Sequence, residues 1–93
     1  MNGSGPIRKT VVVANPHGLH MRPATAFAML ARQFASRVCV WNGTNKADGK
    51  SSLDLILLVA LPGAELVLEL EGPDAAAACD KLAAQLGSPG DGL

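Results

Sequence analysis

Residues 15–24, with the sequence NPHGLHMRPA, lie where the pattern of the chain changes from that of a strand to that of a helix. The preceding residues 7–14, IRKTVVVA, are rich in β-branched side chains and bounded by prolines, which predicts a strand. From residue 21 to residue 35, apolar side chains recur at intervals of three and four, which predicts a helix. The segment Asn15-Pro16-His17-Gly18 between them is rich in residues that favour turns. The chain therefore begins with a strand and a helix joined by a tight turn.

Three more strands are predicted downstream of this first pair. Residues 37–41 and 44–48 flank Asn42-Gly43, the dipeptide most typical of a tight hairpin turn. Residues 65–71, ELVLELE, alternate apolar and mostly acidic side chains, which is typical of a strand buried on one face. We therefore expect the three leucines of this strand to face the core and its acidic side chains to face solvent.

Two further helices complete the predicted set. Ser51 is followed three residues later by Asp54, a spacing that resembles a capping box and predicts a short helix that ends before Pro62. The last helix follows Gly72-Pro73-Asp74 and ends at Gly87, a residue type that is common at helix ends. Its core face is predicted to consist of small and apolar residues: Ala75, Ala78, Cys79, Leu82 and Leu86.

The order strand, helix, strand, strand, helix, strand, helix (βαββαβα) predicts an α+β fold with two layers. Its sheet has four antiparallel strands, and the three helices cover one face of that sheet. A single domain over residues 7–87 accounts for the whole pattern, with flexible ends at residues 1–6 and 88–93.

Composition and charge argue against several classes of protein. Eight basic and eight acidic residues cancel, whereas a protein that binds nucleic acid through its phosphates needs a basic excess. The longest apolar run, residues 55–61, is too short to span a bilayer, and residues 1–6 lack the features of a signal peptide. Cys39 and Cys79 are expected to be two buried thiols rather than a disulfide. We therefore expect a cytoplasmic protein that neither binds nucleic acid nor inserts into a membrane.

His20 lies where the turn becomes a helix, and Arg22 follows two residues later. The N–H groups in the first turn of a helix lack internal partners, and a helix N-terminus favours an anion by roughly 0.3–2 kcal/mol. The forked guanidinium of Arg22 adds charge-assisted hydrogen bonds. This combination predicts a binding site for a phosphoryl group that is covalently attached to an imidazole nitrogen of His20. From these residues alone, an ordinary exposed histidine at a helix start remains the alternative.

A metal site is the other interpretation of this segment, since His17 and His20 are three residues apart. No carboxylate or cysteine lies beside them in the turn, so we expect no metal and no other cofactor. His17 is expected to be an exposed neighbour that adds positive potential.

Two segments resemble those of a known family. Asn15-x-x-Gly18-Leu19-His20-x-Arg22-Pro23-Ala24 resembles the active-site sequence of the HPr family, the phosphocarriers of the bacterial sugar phosphotransferase system. Residues 46–51, KADGKS, resemble the regulatory-serine segment of that family. The resemblance extends over residues 7–86, and it implies an open-faced β-sandwich with four antiparallel strands and three helices.

The family resemblance implies roles for individual residues. His20 would be phosphorylated through Nδ1, and Arg22 would contact the phosphoryl group. Asn15, Gly18 and Met21 would set the local geometry around them. Ser51 matches the residue that the HPr kinase/phosphorylase modifies in some bacteria, and as a helix cap it also has a purely structural explanation.

The resemblance also implies partners. Enzyme I, charged by phosphoenolpyruvate, would donate the phosphoryl group, and enzyme IIA domains would accept it from a monomeric carrier that is not itself an enzyme. Leu53 and Ile56 keep apolar positions that dock partners, and with Leu57 we expect them to contribute mainly to the core. Ser52 and Asp54 depart from the family, which usually has a large apolar residue and a glycine there.

Three alternatives to sugar uptake are open at this point. The chain could serve a regulatory phosphotransfer relay, for nitrogen or carbon control, that transports no sugar. It could be an interaction module that binds a transcription factor, but such a module would be expected to lack the histidine. An enzyme that uses His20 as a general base would need a pocket with convergent polar groups, which an aromatic-poor chain supplies poorly.

Overall fold

The computed structural model describes residues 5–89 and confirms the predicted order of four strands and three helices. Parts of the predicted flexible ends, residues 1–4 and 90–93, lie outside the described residues. No helix within residues 5–89 is long and apolar enough to cross a membrane. The elements, in chain order, are β1 (Ile7–Val12), α1 (Met21–Ala31), β2 (Arg37–Asn42), β3 (Asn45–Asp48), α2 (Ser52–Leu57), β4 (Glu65–Glu71) and α3 (Ala75–Leu86).

The four strands form one antiparallel sheet in the order β1-β4-β2-β3. Strand β4 therefore lies in the middle, where Val67 pairs with Thr10 of β1 and with Trp41 of β2. Its alternation is confirmed, because Leu66, Leu68 and Leu70 are fully buried.

All three helices lie on the face of the sheet that these leucines occupy, and they close a single hydrophobic core. Phe27 of α1, Leu55 of α2 and Leu82 of α3 are its largest fully buried helical side chains. The predicted core face of α3 is confirmed, since each of its five members is buried. The fold is therefore the predicted α+β sandwich with helices on one face.

Strand β1 ends at Val12 rather than at residue 14, because the next two residues leave the sheet. The N–H of Val13 donates to the carbonyl of Ala64, and the N–H of Ala14 donates to the carbonyl of Leu86 at the end of α3. These two hydrogen bonds direct the chain from the sheet into the turn that precedes α1.

Helix α1 ends at Ala31 rather than at Ala35. The N–H of Phe34 donates to the carbonyl of Ala31, only three residues back, so the chain tightens into a turn. The N–H groups of Ala35 and Ser36 then donate to the carboxylate of Asp74, each at 2.9 Å. The prediction was wrong here because an acceptor distant in sequence takes the N–H groups that a longer helix would use.

The β2–β3 hairpin turns one residue later than predicted. Asn42 still pairs with Asn45, so Gly43 and Thr44 form the turn, and Gly43 has the positive φ of 62° that such turns need. The side chain of Asn42 also donates to the carbonyl of Leu58, at 3.0 Å.

Only one of the two cysteines belongs to the core. Cys79 is buried in α3, and burial raises the pKa of its thiol. Cys39 is half-buried on the outer face of the sheet, because it alternates with the buried Val38 and Val40 of β2. The prediction of two core thiols was therefore wrong for Cys39, although both thiols are free.

Candidate functional site

The loop between β1 and α1 is shaped by Asn15, which is only 4% exposed. Its side-chain Oδ1 accepts a hydrogen bond from the N–H of His17 at 2.8 Å, and its carbonyl accepts one from the N–H of Gly18 at 3.0 Å. An asparagine side chain that binds the backbone two residues later fixes a turn of this kind. Asn15 thereby sets the path by which the chain reaches His20.

Gly18 brings this loop against the segment that follows α2. Its φ is 75°, and a Cβ atom there would lie 2.6 Å from the carbonyl oxygen of Ala60. The same carbonyl accepts the N–H of Leu19 at 2.9 Å. Only a residue without a side chain permits this approach, so Gly18 is a structural requirement of the loop.

His20 is the N-cap residue of α1, with an extended backbone conformation, and its carbonyl accepts the N–H of Ala24 at 3.0 Å. The side chain is half-buried, and its Nε2 atom is buried. A partner protein therefore cannot reach Nε2 without displacing protein atoms. The accessible part of His20 lies elsewhere on the residue, at the positive end of the helix dipole.

The first turn of α1 carries the other two residues proposed for this site. Met21 and Arg22 are both exposed, whereas Pro23 is buried and tolerated because the first-turn N–H groups need no internal acceptor. Residues 21–24 contain no acidic side chain that would cancel the positive potential of the helix end. An anion held on His20 would therefore meet positive potential from the helix and from Arg22.

His17 is exposed, and its ring meets that of His20 edge-on, with the ring centroids 6.0 Å apart. Within residues 5–89, no cluster of three or more His, Cys, Asp or Glu side chains is placed to hold a metal ion.

Ser51 caps α2 as predicted: its Oγ accepts the N–H of Asp54 at 3.2 Å. The carboxylate of Asp54 does not complete a capping box, because it accepts the N–H of Asp48 instead, at 3.1 Å. The residue before Ser51 is tied to the turn that follows α1, since Lys50 Nζ donates to the carbonyl of Phe34 at 2.8 Å. The position of Ser51 is therefore fixed from both sides.

The burial of the apolar residues around α2 differs from the prediction. Leu53 and Leu57 are exposed by 65% and 69%, so the expectation that they belong to the core was wrong. Ile56 is half-buried and packs against the core. A six-residue helix turns only part of its surface to the sheet, and here Leu55 occupies that position.

Two exposed apolar residues beside the His20 loop were missed by the sequence interpretation. Val59 and Leu61 flank Ala60, the residue that contacts Gly18, and they are 70% and 66% exposed. Val59 also has a positive φ of 51°, which is strained for a β-branched residue. Seven consecutive apolar residues, 55–61, cannot all face one core, and that signal could have identified an apolar surface here. We call five of the exposed apolar residues, Met21, Leu53, Leu57, Val59 and Leu61, the apolar rim.

Comparisons with known proteins agree with this fold and loop. The family described as "PTS HPr component phosphorylation site" matches residues 7–88. The phosphocarrier protein HPr of Neisseria meningitidis is 35% identical over 72 residues, which are 77% of this chain and 81% of that protein. The phosphocarrier protein NPr of Shewanella violacea is 36% identical over 78 residues, which are 84% of this chain and 86% of that protein.

A solved structure shows the same architecture. HPr-C-His from Thermoanaerobacter tengcongensis superposes with a TM-score of 0.85 at 30% identity, covering 89% of this chain and 93% of that one. The family match spans nearly all of the described residues, including the His20 loop. The chain therefore belongs to the HPr family, the phosphocarrier proteins of the phosphotransferase system.

Proposed function

We propose that this chain is a phosphocarrier that receives a phosphoryl group on Nδ1 of His20 from enzyme I and passes it to an enzyme IIA domain. The observation that carries the proposal is the place of His20, at the N-cap of α1 with its Nε2 atom buried. A phosphoryl group that is received from one partner protein and passed to another has to be attached to an atom that both partners can reach. Because Nε2 is buried, Nδ1 is the nitrogen left for that purpose.

The transfer itself needs only one nucleophile. The lone pair of Nδ1 attacks phosphorus, the new N–P bond forms, and the bond from phosphorus to the donor breaks with its electron pair staying on the donor. Passing the group to the acceptor reverses these roles, with the acceptor as nucleophile and His20 as leaving group. The chain contributes a carrier atom and its surroundings, so we propose that it is not an enzyme in its own right.

We propose that Arg22 and the first-turn N–H groups of α1 stabilise the charge on the phosphoryl oxygens. A guanidinium binds such oxygens in a forked geometry, and a helix N-terminus favours negative charge. Asn15 and Gly18 hold the loop in position, and Met21 contributes its backbone to the first turn and its exposed side chain to the apolar rim. Each predicted site residue thereby has a physical task.

The apolar rim, with the half-buried Ile56 behind it, is the surface that we propose for docking enzyme I and enzyme IIA. Exposed apolar patches are typical of surfaces that bind other proteins. Ser51 lies at the start of α2, two residues before Leu53, so a phosphate there would place about two negative charges at the edge of this surface. We therefore propose Ser51 as a regulatory site for the HPr kinase/phosphorylase.

A two-step transfer experiment tests the proposal. The full chain is incubated with enzyme I and labelled phosphoenolpyruvate, purified, and then mixed with an enzyme IIA domain. We expect the label to enter this chain and then to leave it for the acceptor, with little appearing as inorganic phosphate. A chain that is never labelled, or that releases its label only to water, would contradict the carrier function.

The similarity to a relative named NPr supports a second candidate, a regulatory relay without sugar transport. Sugar uptake in a deletion strain separates the two, because loss of uptake supports transport and unchanged uptake supports regulation. In either case we propose that residues 7–87 act as one monomeric carrier domain in the cytoplasm.

A further inference from the structure

A small cavity of about 10 Å³ lies behind the His20 loop, between that loop and the end of α3. Asn15, Gly18 and Pro23 line it on the side of the loop and the first turn of α1, and Gln85 and Ser88 line it on the side of α3. A cavity of roughly 10–15 Å³ is the smallest that holds one water molecule. The cavity therefore has the size of a single water site, and it lies behind the loop that leads to His20.

The side-chain amide of Gln85 is an unusual group to find at this cavity. Its Nε2 atom is buried, and no hydrogen-bond acceptor among residues 5–89 satisfies it. An amide N–H₂ group that is buried without an acceptor is costly, so such groups are rare in proteins and call for an explanation. Its neighbours on the buried face of α3, Leu82 and Leu86, are apolar, so packing alone does not require an amide at this position.

We propose that Gln85 is a positioning residue for the His20 loop and acts through one water molecule bound in this cavity. The water would accept a hydrogen bond from Gln85 Nε2 and donate to oxygen atoms of Asn15, on the side of the loop, and of Ser88, on the side of α3. A buried water normally makes about three hydrogen bonds, and Gln85, Asn15 and Ser88 together supply polar groups for them.

Asn15 links this water site to the conformation of the His20 loop. Its side chain and carbonyl fix the turn from His17 to Gly18, and the N–H of Ala14 is bonded to the last residue of α3. Gln85 would therefore support the loop from behind, without touching the partner or the phosphoryl group. This inference rests on the proposed phosphocarrier function, because positioning is measured as the rate of phosphorylation of His20.

Gln85→Met is the variant that tests the link, since it keeps the length of the side chain and removes the amide. Its matched control is Gln33→Met, which makes the same change at an exposed glutamine that does not line the cavity. With enzyme I and phosphoenolpyruvate, we expect the maximal rate of phosphorylation of Gln85→Met to fall about fivefold, because small displacements of a reacting group cost up to about 100-fold. The KM for the carrier should stay unchanged, because the docking surface is untouched, and Gln33→Met should change neither value. An unchanged maximal rate, or a change confined to KM, would overturn the positioning role.

A second measurement, on the wild-type chain, needs no variant and no partner. We expect nuclear Overhauser effects between the side-chain amide protons of Gln85 and a long-lived water, together with slow exchange of those protons. Fast exchange without such a signal would overturn the water bridge. Failure to label the wild-type chain at all would instead overturn the proposed function and the rate effect with it, while the water signal still decides whether Gln85 is bridged.

Discussion

Gly18 and Ala60 approach so closely that a Cβ atom on Gly18 would lie 2.6 Å from the carbonyl oxygen of Ala60. This approach joins the loop that carries His20 to the segment that follows α2. The two exposed apolar residues beside Ala60, Val59 and Leu61, are brought next to the same loop. The carrier atom and part of the apolar rim are therefore held together by a contact between two backbone segments.

Gly18→Ala should destabilise the fold and slow phosphorylation of His20. The added Cβ meets a positive φ and a backbone oxygen at once, and we expect the free energy of unfolding to fall by about 2–4 kcal/mol. Gly43→Ala is the matched control, because Gly43 has a φ of 62° but, apart from Gly43 and its two chain neighbours, no heavy atom of residues 5–89 lies within 4 Å of a Cβ built there. Chemical denaturation of both variants measures the difference, and equal losses would mean that the contact with Ala60 contributes nothing.

Arg22→Ala should separate function from stability. Arg22 is exposed in the first turn of α1, so its removal should leave Tm nearly unchanged. Losing a charge-assisted contact to the phosphoryl group should slow phosphotransfer about tenfold or more, and Arg22→Lys should restore only part of the rate. Arg37→Ala, which removes an exposed arginine from the outer face of the sheet, should leave the rate unchanged. A collapse of Tm with normal transfer would show that Arg22 is structural.

Ser51→Asp tests the proposed regulatory site. An acidic residue at a helix N-cap is well tolerated, so the variant should fold normally. It should nevertheless accept phosphate from enzyme I more slowly, because the charge lies beside the apolar rim. Ser51→Ala is the control for loss of the cap: it should lower stability by about 1 kcal/mol and leave the rate unchanged. An unaltered rate in Ser51→Asp would mean that this part of the rim does not face enzyme I.

Asp74 makes the stability of the fold depend on acid pH. The hydroxyl of Ser36 and the N–H groups of Ala35 and Ser36 donate to its carboxylate, and these hydrogen bonds lower the pKa of Asp74 below its ordinary value of 3.8. Since the pKa is lower in the folded than in the unfolded state, the unfolded state takes up protons first as the pH falls. The stability that this carboxylate contributes is therefore complete above the pKa that Asp74 has in the unfolded state. It is lost as the pH falls through the lower pKa of the folded state.

Asp74→Asn should reveal this dependence. At pH 7 we expect its Tm to lie about 5–10 °C below that of the wild type, the size expected for one or two hydrogen bonds in a small domain. The gap should narrow between about pH 5 and pH 2, because the wild-type carboxylate becomes protonated over that interval. Asp80→Asn, at an exposed position of α3, is the control and should follow the wild type. A gap that stayed constant with pH would contradict a role for the charged carboxylate.

The sequence predicted elements well where periodicity alone determines burial. Strand β4 and helix α3 place every predicted core residue inside, because each has one face that must be buried. The same rule could have placed Cys39 outside, since it alternates with two buried valines in β2. That error came from applying an average preference of cysteine for burial instead of the local pattern.

The ends of elements were predicted less well, because contacts distant in sequence decide them. Strand β1 stops where Val13 and Ala14 bond to Ala64 and Leu86, and α1 stops where Asp74 takes the next N–H groups. No local pattern contains that information.

The residues of the candidate site were likewise predicted where a local pattern identifies them and missed where a distant contact does. Asn15, Gly18, His20 and Arg22 lie within eight residues of one another, so a single motif was enough to find them. Val59 and Leu61 were missed because only the contact between Gly18 and Ala60 brings them to the loop.

The phosphorylated atom can be identified by labelling three proteins in parallel: the wild type, His17→Ala and His20→Ala. Each is incubated with enzyme I and labelled phosphoenolpyruvate, and the bound phosphate is tested for stability in acid and in base. We expect a single phosphate on the wild type and on His17→Ala that is labile in acid and stable in base, as a phosphohistidine is, and no label on a folded His20→Ala. Normal labelling of His20→Ala would contradict the proposal that His20 carries the phosphoryl group.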